Sequence, residues 1–254
     1  MRLRRIQLRG TSLRLSYGLR PCRSLPPNEG AVDGLGQPGA TDVMPSNGPL
    51  EARRLSAKRG YATLFTGVDF SVDAGEALVV TGPNGSGKTT LLRIVAGLAA
   101  PVEGEIRWRN ETMRPLDARM RACVAFNGHP FALKDELTAF ENLAFWIDLH
   151  DRRAPHARIA GALDAVALGS RRSLPVRALS QGQRRRIALA RLALVDRPLW
   201  LLDEPLTALD ADAIRILGDL ADAHLAKGGI VMAASHQPLS FAERMQTLAL
   251  SPAR

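Results

Sequence analysis

The sequence predicts an α/β fold, and three observations carry the prediction. A short apolar run, Ala77 to Thr81, enters a glycine-rich loop at residues 82–88 and then a helical stretch, Thr89 to Gly97, which is the order strand, phosphate loop, helix. A second apolar run, Leu199 to Leu202, ends in the adjacent carboxylates Asp203 and Glu204. Between and beyond these runs, short apolar segments alternate with helical patterns, as in a sheet covered by helices. No internal repeat and no sustained heptad pattern interrupts this order.

Composition sets the outer bounds. The 254 residues are 46% hydrophobic, 23% charged and 5% aromatic, which excludes a wholly disordered chain, a collagen-like repeat and a disulfide scaffold. The length suits one nucleotide-sized domain plus an extension. No window approaches the ~18 to 20 consecutive apolar residues of a membrane-spanning helix, so a membrane role is expected to come through a partner. The two cysteines, Cys22 and Cys123, form no CxxC or Cys/His metal spacing, and cytosolic residence follows as the simplest expectation.

The net charge of +9 is unevenly spread. Residues 1–43 hold seven arginines and three acids and so supply +4, leaving +5 on the other 211 residues. From Pro21 to Pro49 the chain is dense in Pro, Gly, Ser and Asn, too poor in apolar residues to offset the entropy of ordering. Residues 1–49 are therefore expected to be mostly disordered. Two readings of residues 1–43 stay open: a structureless tail, or a true start at Met44. An organelle transit peptide ranks below both.

The patterned region, 50–254, can be taken in order. Leu64 to Val72 alternates and is followed by Asp73, Ala74 and Gly75, read as a strand with a hairpin turn. Further strands are expected at 105–108, 122–126, 199–202, 230–234 and 247–250, and helices at 138–148, 155–167 and 184–194.

Gly82, Pro83, Asn84, Gly85, Ser86, Gly87, Lys88 and Thr89 fit GxxxxGK[ST]. In that pattern glycines let successive backbone N–H groups converge on phosphate oxygens at a helix N-terminus. Lys88 adds a charge beside the β- and γ-phosphates of a nucleotide such as ATP, Thr89 offers a hydroxyl to Mg²⁺, and Thr90 begins the helix. Neighbouring strand residues face opposite ways, so Asp203 and Glu204 are expected to divide their tasks. Asp203 would serve Mg²⁺, and Glu204 would act as general base on the attacking water.

Three more pieces follow in order. Leu179, Ser180, Gln181, Gly182 and Gln183 open a long helix, presenting donors at its N-terminus. Thr207 to Asp210 follows Glu204 closely, and His236 follows the apolar run 230–234, at the end of the strand where α/β folds bind ligands.

Taken together these motifs resemble the ABC-type ATPases: Walker A at 82–89, signature at 179–183, Walker B at 199–204, D-loop at 208–210 and switch histidine His236. The resemblance covers about residues 50–254 and implies a P-loop NTPase nucleotide-binding domain with a helical subdomain at about 127–175. In that family two domains pack head to tail, so Ser180, Gln181, Gly182 and Gln183 would act in trans on the partner's ATP. Gln181 replaces the usual first signature glycine, and His129 stands where most members carry the Q-loop glutamine, able to relay to Mg²⁺ through water. Tyr61, or alternatively Arg59, is the expected neighbour of the adenine base.

Finer phrases, at residues 75–88, 127–129, 136–143 and 198–210, are similar to the haem-exporter ATPases of bacterial cytochrome c maturation. This resemblance implies a peripheral subunit on the cytoplasmic face of the inner membrane, working with CcmB-like and CcmC-like membrane subunits to release a haem-loaded chaperone or export haem. The chain ends eighteen residues after His236, read as a minimal ATPase. Phe131, Phe140, Phe145 and Trp146 are the surface candidates for a membrane subunit's coupling helix, although their helical spacing suits core packing better.

Two alternative readings stand beside this one. The ATPase of an exporter for another substrate differs only in its membrane partner. A non-transport ATPase acting on nucleic acid is disfavoured, because Arg184, Arg185, Arg186 and Arg191 read as a solvated helix face. The five histidines form no haem-attachment motif.

Overall fold

The computed structural model describes residues 48–128, 132–150, 154–207, 209–239 and 244–251. In chain order the elements are β1 (Leu50–Arg59), β2 (Ala62–Val72), β3 (Ala77–Thr81), α1 (Lys88–Val95), β4 (Glu103–Trp108), β5 (Glu111–Met113), α2 (Ala118–Cys123) and β6 (Val124–Asn127). They continue with α3 (Ala139–His150), α4 (His156–Ala165), α5 (Gln181–Leu194), β7 (Leu199–Asp203), α6 (Ala211–Leu225), β8 (Ile230–Ala234) and β9 (Met245–Ala249).

Five short strands form a parallel sheet in the order β6-β7-β8-β3-β9. The near-continuous apolar runs of β3, β7 and β8 are what burial on both faces requires, whereas the edge strand β9 is mostly exposed. Alternation sorts their side chains. Val79, Trp200, Leu202, Val231 and Ala233 point into one core with α3, α4, α5 and α6. Leu78, Val80, Leu199, Leu201, Ile230 and Met232 point into the other, beneath α1. That second core is closed by an antiparallel sheet, β2-β1-β4-β5, through Leu50, Leu55, Phe65, Val72, Ile106 and Trp108.

Three expectations need correction. The turn at residues 73–75 is no hairpin turn: it carries the chain from β2 in one sheet to β3 in the other, and the hairpin joins β1 to β2 at Gly60 and Tyr61. The expected strand at 122–126 begins only at Val124. Asp117 caps a short preceding helix by accepting a hydrogen bond from the Arg119 N–H at 2.9 Å, so Ala122 and Cys123 belong to α2. Strand β1 was absent from the sequence reading because its register shifts between Ala52 and Leu55, around Arg54 at φ +48°. Such a bulge breaks the period-2 pattern: Leu50 and Ala52 are buried, and then Leu55 and Ala57.

His224, in the last turn of α6, is partly buried, its ring stacked on Trp200 of β7 with centroids 4.0 Å apart and planes 9° from parallel. Burial pushes its pKa down to about 4, against roughly 6.5 in an unfolded chain. Protons therefore bind the unfolded state first. The stability held by the neutral imidazole is complete above about pH 6.5 and falls as pH drops toward 4, by on the order of 3 kcal/mol in all. Urea unfolding at pH 7 and pH 4.5 should show His224→Phe losing less stability between the two than the unsubstituted chain. Equal losses would remove His224 as the cause.

Candidate nucleotide site

The site lies at the carboxyl ends of β3, β7 and β8, the end of the strands at which open α/β sheets bind ligands. The chain leaves β3 through Gly82, at φ +140°, where a Cβ would stand 2.4 Å from the Leu250 carbonyl oxygen. Only glycine passes there. Gly87, at φ +98°, precedes α1 without any side-chain cap, and the first turn of α1 holds no acidic residue. Its leading N–H groups are thus left for an anion. Lys88 is 7% exposed, and its Nζ donates to the carbonyls of Gly82 at 2.8 Å and Pro83 at 3.1 Å, closing the loop on itself. The hydroxyl of Ser86 is buried and finds no hydrogen-bond partner among the described residues. Pro83, Asn84, Gly85 and Thr90 complete the loop and the start of α1.

The two carboxylates take different directions. The Thr89 hydroxyl donates to Asp203 Oδ1 at 2.9 Å, and burial raises the Asp203 pKa from its ordinary value, opposed by that hydrogen bond. Glu204 Oε2 lies 2.7 Å from His236 Nδ1. Strand alternation is not what separates them, since β7 ends at Asp203. Glu204 turns away through a left-handed backbone at φ +47°, while its N–H still donates to the Ala234 carbonyl at 2.9 Å.

Ser180 caps α5. Its hydroxyl accepts from the Gln183 N–H at 3.3 Å, and its own N–H donates to Gln183 Oε1 at 3.0 Å, a reciprocal box from which Gln181 and Gly182 lead into the helix. Asp210 caps α6 by accepting from the Ala213 N–H at 2.8 Å, and also accepts two hydrogen bonds from Arg186 at 2.6 and 2.7 Å. Those contacts hold its carboxyl below the usual range. Tyr61 stands fully exposed at the tip of the β1–β2 hairpin, and Phe65 of β2 is the aromatic ring that approaches Gly87. Arg59 ends β1 beside that tip. His129 and Phe131 lie outside the described residues.

The arginines of α5 correct the expectation of a solvated face. Arg185 is 5% exposed and donates to the Glu204 carbonyl, Arg186 clamps Asp210, and Arg191 lies over the Trp146 ring at 5.6 Å. Arg185 falls at helical spacing before the buried Ala188, Leu189 and Leu192, so the stripe itself was the available signal. On α3, Phe140 and Trp146 pack against the core, while Phe145 is 50% and Leu149 66% exposed.

A loop built for phosphate, a hydroxyl–carboxylate pair and a glutamate turned toward a histidine define a phosphate-loop nucleotide hydrolase. The family model described as ABC transporter matches residues 65–207. Cytochrome c biogenesis ATP-binding export proteins CcmA are among the relatives. That of Nitrosomonas europaea is 46% identical over 190 residues, covering 75% of this chain and 89% of the relative. That of Rhizobium johnstonii is 48% identical over 192 residues, with the same shares, and that of Methylococcus capsulatus is 43% identical over 206 residues, covering 81% and 100%. Among solved structures, the dimeric post-hydrolysis ATP-binding cassette MJ0796 bound to ADP and Pi superposes with a TM-score of 0.67 at 27% identity, over 78% of this chain and 94% of that one. The chain belongs to the ABC transporter ATP-binding family, within the group of CcmA proteins. It is an ABC-type ATPase, and no helix among the described residues is long and apolar enough to cross a membrane.

Proposed function

We propose that this chain is the ATP-hydrolysing subunit of a membrane complex for cytochrome c maturation, serving haem export or the release of a haem-loaded chaperone. The observation that carries the proposal is identity of 43–48% to proteins named for cytochrome c biogenesis, over 84–100% of their length. Two copies would pack head to tail, each ATP lying between the phosphate loop of one and Ser180, Gln181, Gly182 and Gln183 of the other, with Asp210 at the same seam. Lys88 and the loop N–H groups would hold the phosphates. Thr89 and Asp203 supply the hard oxygen donors that suit Mg²⁺, which when bound neutralises charge on the β- and γ-phosphates. Glu204 would orient and polarise the attacking water, steadied by His236; His129 would relay to the metal side and Tyr61 would lie near the base.

The helical subdomain at about 127–175, including α3 and α4, would meet a membrane partner, with Phe145 and Leu149 offering the exposed apolar surface that such docking needs. The partners would be CcmB-like and CcmC-like subunits, placing the chain peripherally on the cytoplasmic face of the inner membrane. Burial of Arg185 and the pairing of Arg186 remove two charges from any basic face, which argues against a nucleic-acid role. The test is a detergent pull-down of tagged Glu204→Gln protein with ATP. CcmB-like and CcmC-like subunits, with haem, are the expected co-purifying species; a different permease overturns the substrate class and leaves the ATPase chemistry standing.

A further inference from the structure

Glu204 sits in a backbone conformation that residues other than glycine rarely adopt, at φ +47°, and such a conformation persists only where its surroundings over-determine it. Three main-chain hydrogen bonds do so: the Thr207 N–H closes the turn locally by donating to the Glu204 carbonyl at 3.3 Å, and two come from other elements. The Glu204 N–H donates to Ala234 of β8 at 2.9 Å, and the Glu204 carbonyl accepts from the guanidinium of Arg185 on α5. Burying an arginine costs desolvation, and here burial does lower its pKa while the carboxylates of Glu204 and Asp203 oppose the shift. The cation is thus held beside both acids and grips the main chain at the point where their paths divide.

We propose that Arg185 is a positioning residue for ATP hydrolysis: it clamps the Glu204 main chain, holding the left-handed turn that sends the Glu204 carboxylate to His236 while Asp203 stays with Thr89. The same side chain ties that turn to α5, the helix whose N-terminus carries Ser180 and Gly182. A partner nucleotide seated on the signature would therefore act on a helix hydrogen-bonded, through Arg185, to this chain's own Glu204. The inference rests on the reading of Glu204 as the group that orients water. It goes beyond that reading by assigning control of Glu204 to one side chain of the signature helix.

The test compares single-turnover ATP hydrolysis by the full chain carrying Arg185→Met, Arg185→Lys or Arg185→Gln, each alone and combined with Glu204→Gln. Small misplacement of a catalytic group costs one to two decades of rate. Arg185→Met is expected to lower the rate constant by about tenfold or more, with the ATP concentration at half-saturation changed by less than about threefold. Arg185→Lys, which keeps a charged donor, should recover part of the loss. In the Glu204→Gln background Arg185→Met should cost nothing further, because the group it positions is already disabled. An unchanged rate overturns the proposal, and so does an equal loss in both backgrounds, which marks a general structural effect. If Arg185→Met does not unfold cooperatively, Arg185→Gln, a shorter neutral side chain, is read against the same outcomes. Full activity of Glu204→Gln instead sinks the reading of Glu204 itself, whereas loss in Glu204→Gln beside full activity in Arg185→Met sinks only the role of Arg185.

Discussion

Glu204→Gln lowers steady-state ATP hydrolysis by on the order of 10² or more and leaves nucleotide binding intact, as expected for removing general-base assistance. The amide has nearly the shape of the carboxylate, so it can keep a hydrogen bond to His236, now 2.7 Å from Glu204 Oε2. What it lacks is the negative charge and the proton affinity that draw a proton from water. The groups proposed to face phosphate and metal, Lys88, Thr89 and Asp203, are untouched. Bound ATP should then persist, and a dimer stabilised by ATP should become visible by size-exclusion chromatography. Undiminished turnover would remove Glu204 from the catalytic assignment.

Lys88→Ala acts on binding. The Lys88 ammonium is almost fully buried in a loop where it already donates to two carbonyls. A charge-assisted hydrogen bond contributes about 1.5–3 kcal/mol, so its loss weakens ATP binding by roughly one to two decades. Hydrolysis falls with it. Equilibrium titration with a fluorescent ATP analogue checks the effect, and a Kd within about twofold of the unsubstituted chain would show that Lys88 braces the loop without contacting phosphate. The two variants separate the functions of the site: one retains ligand and stops chemistry, the other loses ligand.

The phosphate loop was legible because its chemistry is local. Eight consecutive residues carry the glycines, the lysine and the hydroxyl, and the flanking strand and helix follow from adjacent periodicity. The strands β3 and β8 were read to the residue for the same reason: both are continuous apolar runs closed by turn signals. β1 was missed because a bulge at Arg54 shifts its alternation by one residue, and a pattern test of period two cannot follow a chain that changes phase. The arginines of α5 were misread because charge count alone ignores which stripe of the helix each side chain occupies. Arg185 shares its stripe with Ala188, Leu189 and Leu192 and goes inward with them.

The sequence by itself determined the class of the protein, the glycine-rich loop proposed to bind phosphate and the pair of acids at the end of β7, since each depends on contiguous residues and their turn chemistry. The tertiary structure decided which acid meets which partner. It brings Thr89 to Asp203 across 114 positions of chain and His236 to Glu204 across 32, and it closes Arg185 onto the Glu204 main chain. These pairings follow from the strand order β6-β7-β8-β3-β9, which sets strand ends distant in the chain side by side. No local propensity encodes that neighbourhood, because it is fixed by burying both faces of the sheet at once.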